Sequence, residues 1–338
     1  MNHNALKLSL IIPTYCRYKE LKRLLSNLEL QTKKPDEVII VDASDNGDSR
    51  LIQAEVMKRR CFPVYYYKHE KGLTKQRNFG ILKSKNEIVG FLDDDVLIEP
   101  DFFERILNIF KNDLLNEIGG ASGFIMDIQY QNIHLIDEEL KSIKSIDEFS
   151  YIMQKYTDNI TTSFRTSLRN FLSLGKEGKY NRISGKPCHL KTFFDDIKEV
   201  DFLRGIAFYR RQVFDKMTYS TFFKDYGFAE DLHFSLMIGK YYKLMVDGKA
   251  ISYHLHAPSG RPDYFRLGQM VGSNLFYIFN LYEKHSFIGY LLYWYIFYLN
   301  ALFEVLPAFW GQNSLIRIKM FIGQIHGSFS SINKILKK

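Results

Sequence analysis

The chain has 338 residues, 46% of them hydrophobic and 15% aromatic, with a formal charge of +8. That is a globular composition, long enough for one large or two modest domains with a real core. The positive balance suits anionic partners such as nucleotide phosphates or anionic lipid, whereas no Lys/Arg-rich block interleaved with aromatics marks a nucleic-acid partner.

The first 125 residues or so alternate strand and helix patterns. Leu8 to Ile12 is a short apolar strand and, because it runs into Pro13-Thr14, not the core of a signal peptide. Leu21, Leu24, Leu25 and Leu28 then recur at helical spacing. Glu37 to Val41 is a second buried strand, followed by a polar helix up to Arg60, and Val64 to Tyr67 is a third strand. Thr74 to Lys83 reads as a helix, Glu87 to Leu92 as a strand, and Pro100 opens a further helix. Such alternation predicts a mostly parallel sheet covered by helices on both faces. Ligands of these sheets bind beyond the carboxyl ends of the strands, so Pro13-Thr14, Asp42 and Asp93 to Asp95 are expected to converge on one crevice. Residues 128 to 200 are polar and basic, with helical patches and a segment from Gly175 to Lys179, and read as a long excursion from the sheet. Patterning typical of a core returns from Val200 to His256. Ser286 to Phe303 is uncharged and dense in Tyr, Phe, Trp and Leu, until Glu304 and Pro307 interrupt it. Its 18 residues fit a buried helix, a helix lying in a membrane interface, or a short span. The tail mixes Arg317, Lys319, Lys334, Lys337 and Lys338 with apolar residues, and no internal repeat is evident. Cys16, Cys61 and Cys188 have neither metal-ligand nor disulfide spacing, which fits a reducing compartment.

Asp93-Asp94-Asp95, at the end of an apolar strand, is the most informative feature of the chain. Adjacent carboxylates raise one another's pKa unless something offsets them, and a hard divalent cation shared with nucleotide phosphates does so well. Three further segments precede it in order: Ile11 to Arg17, Val38 to Ser44 and Gly72 to Gly80. Together the four segments resemble the inverting glycosyltransferases of family 2, which have the GT-A fold.

The resemblance implies roles for individual residues. Pro13, Thr14 and Tyr15 form the loop after the first strand, beside the nucleotide, with Arg17 next to it. Asp42 ends the second strand, where the family reads the base, usually uracil. Arg77 and Asn78 belong to a helix that faces the nucleotide. Asp93 and Asp95 match the outer carboxylates of an Asp-X-Asp motif around Asp94, with Asp93 toward the ribose and Asp95 on the metal, Mn²⁺ or Mg²⁺. The sequence departs from the family at Cys16, where Asn or Asp is common, and at Asp42-Ala43-Ser44, where Asp-Asp-Gly-Ser is common.

In the second half, Tyr226 to Leu232 resembles the family's Glu-Asp motif at the head of a helix, with Asp231 as the expected catalytic base and Glu230 as its neighbour and alternative. Val200 to Arg211 resembles the preceding strand, in which Gly205 lets backbone approach the sugar; Asp201 is a weaker candidate for sugar contact. His254 and His256 follow a strand-like run, and a histidine here is implied as a further metal ligand or a contact to the diphosphate. Arg261 is a candidate for the diphosphate. Phe171 to Leu174, the stretch to Ser184-Gly185 and Pro258 to Arg261 look like bacterial members that build surface polysaccharides, often on lipid-linked acceptors at the cytosolic membrane face.

The expectation is thus an α/β GT-A fold, Rossmann-like, over residues 1–270, with a nucleotide-sugar half over 1–127 and an acceptor half over 128–270. A helical, membrane-associated tail over 271–338 follows. The implied activity moves a sugar from a nucleotide-diphosphate donor, UDP-linked by family preference, to a hydroxyl of a glycan or lipid-linked acceptor. The implied location is cytoplasmic, peripheral or single-span at the inner face of the cell membrane. A catalytically silent nucleotide- or membrane-binding module is the alternative, and donor hydrolysis that needs Asp95 separates the two.

Overall fold

A computed structural model describes residues 6–45, 47–128, 132–141, 143, 145–157, 176–190, 193–306, 308 and 314–336. Its centre is a nine-stranded sheet. Four parallel strands form one half in the order β3 (Val64–Lys68), β2 (Glu37–Asp42), β1 (Leu8–Thr14) and β4 (Ile88–Phe91). The apolar runs of β1, β2 and β4 are buried throughout, as strands covered on both faces must be. The other half brings in a short strand, β5 (Val96–Ile98), and a long one, β6 (Ile118–Asp127). It also holds β9 (Ile197–Val200), β10 (Ala207–Arg210) and β11 (Lys243–His254). β10 runs antiparallel between β4 and β6, and β11 runs parallel to β6, so that His254 stands opposite Asp127. A separate pair, β7 (Tyr180–Asn181) and β8 (Lys186–Pro187), lies in the region read as an excursion.

Helices α1 (Tyr18–Leu28), α2 (Asp48–Lys58), α3 (Leu73–Lys83) and α4 (Phe102–Asn112) alternate with the first strands. Leu21, Leu24, Leu25 and Leu28 of α1, Ile52 of α2 and Phe102, Phe103 and Ile106 of α4 pack on one sheet face. Ile81 of α3 packs on the other face with Phe234 and Ile238 of a later helix. Pro100 does not open α4: the helix starts at Phe102, and the Pro100 carbonyl accepts from the Thr32 amide instead. After α5 (Ile133–Leu140), α6 (Ile146–Thr157) and the single-turn α7 (Val213–Lys216) comes α8 (Glu230–Ile238), which holds the expected catalytic carboxylates at its start. Ala229, before it, is in the left-handed region at φ 66°, a sharp entry that fixes where the helix begins.

Three long helices follow: α9 (Tyr264–Tyr282), α10 (Phe287–Val305) and α11 (Ser314–Leu336). α9 and α11 touch backbone to backbone. A Cβ on Gly268 would meet the Met320 carbonyl at 2.2 Å, and one on Gly323 the Phe265 carbonyl at 2.1 Å, so only glycine permits this approach. α9 and α10 bury Leu275, Phe276, Phe279, Tyr293 and Phe297 in one cluster with Leu232 and Leu236 of α8, which ties the C-terminal helices to α8. Glu304 does not interrupt α10, which continues to Val305; Gln324 donates to its carboxylate at 3.2 Å. Pro307, Phe171 to Leu174, Gly175, Lys337 and Lys338 lie outside the described residues, as does the side chain of Lys334. The three cysteines are free thiols.

Candidate active site

The sheet's parallel register brings Thr14 beside Asp42 at the ends of β1 and β2. Gln76 of α3 staples these ends, its amide donating to the Thr14 carbonyl at 3.0 Å and the Val41 carbonyl at 2.8 Å. Beyond them opens a cleft of about 630 Å³, a size typical of small-molecule sites. It is lined by Pro13, Thr14, Tyr15, Arg17, Arg77, Asp93, Asp94, Asp95, Gly205, Glu230, Asp231, His254, His256 and Arg261. Fourteen of the residues singled out from the sequence therefore meet in one place.

The three aspartates have separate surroundings. Asp94 is 3% exposed; it accepts from Thr14 Oγ1 at 2.7 Å and from Arg17 Nη1 at 2.8 Å. Burial, opposed by Arg17 and reinforced by the charge of Asp95, raises its pKa to about 7. Its carboxylate is thus a structural partner of Arg17 and Thr14. Asp95 is bonded by the Ala257 amide at 2.9 Å and faces His254 Nε2 at 3.3 Å and Arg261 at 3.6 Å. Burial pushes its pKa up, but His254, Arg17 and Arg261 outweigh burial and hold it well below the usual carboxylate range. Asp93 is the most open of the three, with its carboxylate 3.2 Å from Arg77. A Cβ on Gly205 would sit 2.9 Å from Asp93 Oδ2, so glycine here makes room for that carboxylate.

Ligand atoms of Asp93, Asp95 and His254 lie within 4.8 Å of one another. Two carboxylate oxygens and an imidazole nitrogen are a donor set that fits Mn²⁺ and, less well, Mg²⁺. His256 is placed differently. Its Nε2 meets Asp127 at 2.9 Å and its Nδ1 meets Arg261 Nη2 at 3.3 Å. Arginine has no acceptor, so Nδ1 accepts and Nε2–H donates. Ligand atoms of Asp127, His254 and His256 also lie within 4.8 Å of one another, so His254 is common to two groups that could hold a cation. Asp127, which the sequence reading passed over, also meets Arg204 at 3.4 Å. Burial raises its pKa, but the bond from His256 and the Arg204 charge hold it low. A carboxylate at the end of the β6 run was the available signal; its pairing with His254 was not readable.

Arg77 is the buried hub of the cleft. It is 1% exposed and bonds Glu230 at 2.5 Å as well as Asp93. Burial, opposed by Arg77 and reinforced by Asp231, raises the Glu230 pKa to about 8. Asp231 is also raised by burial, with Arg77 opposing it. It is half-buried, and its carboxylate accepts from the Leu232 amide at 2.7 Å. Arg17 also reaches the Ser259 carbonyl at 2.7 Å, which ties the loop after β11 to the aspartates.

Three residues lie elsewhere. Asp42 is fully buried; Ser44, Ser49 and Tyr66 donate to its carboxylate, and these bonds outweigh burial and lower its pKa. It does not line the cleft. The side chain of Asn78 is taken by the Tyr219 backbone, to which it donates at 2.8 Å and from which it accepts at 3.0 Å. Asp201 accepts from Lys179 at 3.0 Å and from the Tyr180 amide at 2.9 Å, holding β7 in place. The cleft gains instead Lys71, whose ammonium lies 3.8 Å from the Tyr15 ring centroid, and Tyr226.

A protein of Haemophilus influenzae described as an uncharacterized glycosyltransferase is 28% identical over 227 residues, 64% of this chain and 68% of that protein. A Campylobacter jejuni protein, GalNAc(5)-diNAcBac-PP-undecaprenol beta-1,3-glucosyltransferase, is 22% identical over 172 residues, 48% of this chain and 52% of that protein. The chain spans about half of that relative and about a quarter of two Rickettsia glycosyltransferases. Among solved structures, a mannosyltransferase from Pyrobaculum calidifontis in complex with GDP-Man and Mn2+ superposes with a TM-score of 0.55 at 12% identity, covering 96% of this chain and 88% of that one. The sequence profile of glycosyl transferase family 2 matches residues 9–218. The chain belongs to glycosyl transferase family 2 and has the GT-A fold.

Proposed function

We propose that the protein is a metal-dependent, inverting glycosyltransferase that moves a sugar from a nucleotide-diphosphate donor to an acceptor hydroxyl. The observation that carries this reading is the shared cleft: a cation ligand set of Asp93, Asp95 and His254 on one side and the Glu230-Asp231 helix start on the other. Asp93, Asp95 and His254 would hold Mn²⁺ or Mg²⁺, which when bound supplies Lewis-acid stabilisation of the leaving diphosphate.

Asp231 is the base. Glu230 is pinned under Arg77, whereas Asp231 keeps an open side toward the cleft. Burial makes Asp231 more basic, as a proton acceptor needs to be. It takes the proton of the acceptor hydroxyl as that oxygen attacks the anomeric carbon. The bond from that carbon to the diphosphate oxygen breaks on the opposite face, which inverts the centre. Arg77 holds Glu230 and Asp93 in position from beneath. UDP is the first donor nucleotide to test, with GDP and dTDP beside it, because the fully bonded Asp42 offers no open carboxylate to a base.

The acceptor works at the cytosolic membrane face in this reading. α10 is the one helix among the described residues long and apolar enough to cross a membrane. It buries Tyr293, Ile296, Phe297, Asn300 and Ala301 and exposes Ile288, Leu291, Leu292 and Tyr295 on its other face. Ile318 and Ile322 of α11 are also exposed, and Lys284 and Lys319 add positive charge. One apolar face bordered by cations suits a helix lying on an anionic bilayer better than one spanning it.

The test is incubation with a panel of UDP-, GDP- and dTDP-hexoses and Mn²⁺. Nucleotide release that Asp95→Ala and Asp231→Asn abolish, with an inverted anomer by proton NMR, supports the proposal. A retained anomeric configuration, or release that survives both substitutions, overturns it.

A further inference from the structure

The His254 ring has a carboxylate on each side. Its Nε2 faces Asp95 at 3.3 Å and its Nδ1 faces Asp127 at 3.8 Å. Asp127 also meets His256 Nε2 at 2.9 Å, and the two imidazole centroids are 3.9 Å apart. The parallel pairing of β6 and β11 sets Asp127 opposite His254. His256 holds its place with a φ of 52°, in the left-handed region that residues with side chains rarely adopt. Ligand atoms of Asp127, His254 and His256 all lie within 4.8 Å of one another. A four-coordinate ion about 2.0–2.2 Å from its ligands needs them roughly 3.3–3.5 Å apart. The separations of 2.9 and 3.8 Å bracket that spacing. Half of the Asp127 side chain and about a third of His256 are exposed, which gives an ion a path from solvent.

The two ligand groups differ in chemistry. Asp93, Asp95 and His254 offer two oxygens and one nitrogen, which suits Mn²⁺ or Mg²⁺. Asp127, His254 and His256 offer two nitrogens and one oxygen, which suits Zn²⁺. We propose that Asp127, His254 and His256 form a second cation site, selective for Zn²⁺, whose filling opposes that of the donor-side site. The opposition lies in the shared ring, because a neutral imidazole has one lone pair and one N–H. With an ion on His254 Nδ1, Nε2–H donates to Asp95; with an ion on Nε2, Nδ1–H turns to Asp127. Each carboxylate thus orients the ring for the other site, and the ring serves one ion at a time. An ion on His256 Nε2 moves that ring's proton to Nδ1, which ends the 3.3 Å contact with Arg261; Arg261 keeps the Ala257 carbonyl at 2.7 Å. Arg204, partly exposed, leaves its 3.4 Å contact with Asp127 for water. These two guanidiniums set the affinity below that of a structural zinc centre, as suits an ion that comes and goes. The exclusion rests on the proposed donor site; the second site itself is testable without it.

Zn²⁺ is titrated calorimetrically into the full-length protein freed of metal with EDTA, with every variant checked for folding by thermal melt. Wild type binds with a Kd below about 100 µM. His256→Ala and Asp127→Ala each weaken binding at least about 30-fold, because each removes a ligand, and Asp93→Ala leaves it within about three-fold. Co²⁺ is the spectroscopic probe of the same site. Its visible bands appear without the near-ultraviolet band of a thiolate ligand, which separates the site from the free thiols of Cys16 and Cys61. In a separate arm, UDP is titrated with Mn²⁺ in the presence and absence of Zn²⁺. Zn²⁺ weakens UDP binding at least about ten-fold in wild type and less than about two-fold in His256→Ala or Asp127→Ala. Zinc binding that survives both of these substitutions, that is lost in Asp93→Ala, or that is absent below about 100 µM overturns the second site. Antagonism that is missing in wild type, or undiminished in the variants, overturns the exclusion. Zinc binding that needs His256, without UDP binding, keeps the second site and removes the donor reading. Mn²⁺-dependent UDP binding without His256-dependent zinc binding does the reverse.

Discussion

Replacing Arg77 by methionine removes the cation that, among the described residues, touches both Glu230 and Asp93. The cost follows from burial. Glu230 is 5% exposed and sits beside Asp231; above its raised pKa of about 8 it is ionised, and there, without the 2.5 Å contact to Arg77, a carboxylate is left buried and uncompensated. Breaking a buried pair in this way costs about 3–5 kcal/mol. The Asp93 contact adds little, because that carboxylate is about one-third exposed and solvent screens it, about 0–1 kcal/mol. The guanidinium also lies 5.2 Å from the Tyr219 ring centroid, which contributes about 1 kcal/mol. The total expected is about 4–7 kcal/mol, read as a fall in unfolding free energy in urea at pH 9, where Glu230 is ionised. Adding Glu230→Gln to Arg77→Met removes the orphaned charge and should recover about half of the loss. The reasoning is refuted if Arg77→Met costs under about 1 kcal/mol, or if the double variant is no more stable than Arg77→Met alone.

Three other outcomes are expected. Asp231→Asn lowers kcat by about 10²- to 10⁴-fold, the range of a general base, while leaving nucleotide affinity within about two-fold; Glu230→Gln, acting through Arg77, changes nucleotide affinity as well, and single-turnover kinetics with calorimetry separate the two. His233 is buried without a partner at Nδ1, and burial together with Lys240 lowers its pKa from 6.5 to about 4. Its neutral form therefore stabilises the fold fully above pH 6.5, and this is lost as pH falls toward 4, by about 3 kcal/mol. His233→Phe should flatten that part of the stability profile in urea titrations from pH 7 to 4; an unchanged slope contradicts the assignment. Substituting Ile288, Leu291 and Tyr295 together by Asp should cut co-sedimentation with anionic vesicles at least about ten-fold; undiminished co-sedimentation would show that the outer face of α10 is not the contact.

Much of the first half was legible in the sequence because its signals are local. Apolar runs closed by Pro13-Thr14, Asp42 and Asp93 mark parallel strands, and the parallel arrangement puts their ends together with no further information. The same reading could not tell which carboxylates face the cleft. Asp42 stands at the strand end as expected, yet Ser44, Ser49 and Tyr66 turn its carboxylate inward, and those contacts come from three separate segments. Asn78 shares a helix with Arg77 but is taken by Tyr219, 141 residues away. Asp127 was missed because nothing in the chain announces that β6 and β11 are neighbours. The C-terminal helices were visible as apolar segments. That α9 and α11 meet through Gly268 and Gly323, and that α10 buries one face and exposes the other, are properties of the packing.

The most direct test of the central claim is calorimetric titration of UDP, with GDP and dTDP as controls, into wild type and Asp95→Ala, with and without Mn²⁺. Binding of one nucleotide should require Mn²⁺ and be lost in Asp95→Ala. Failure of all three to bind, or binding indifferent to both Mn²⁺ and Asp95, would contradict the assignment of Asp93, Asp95 and His254 as the cation site of a nucleotide-sugar donor.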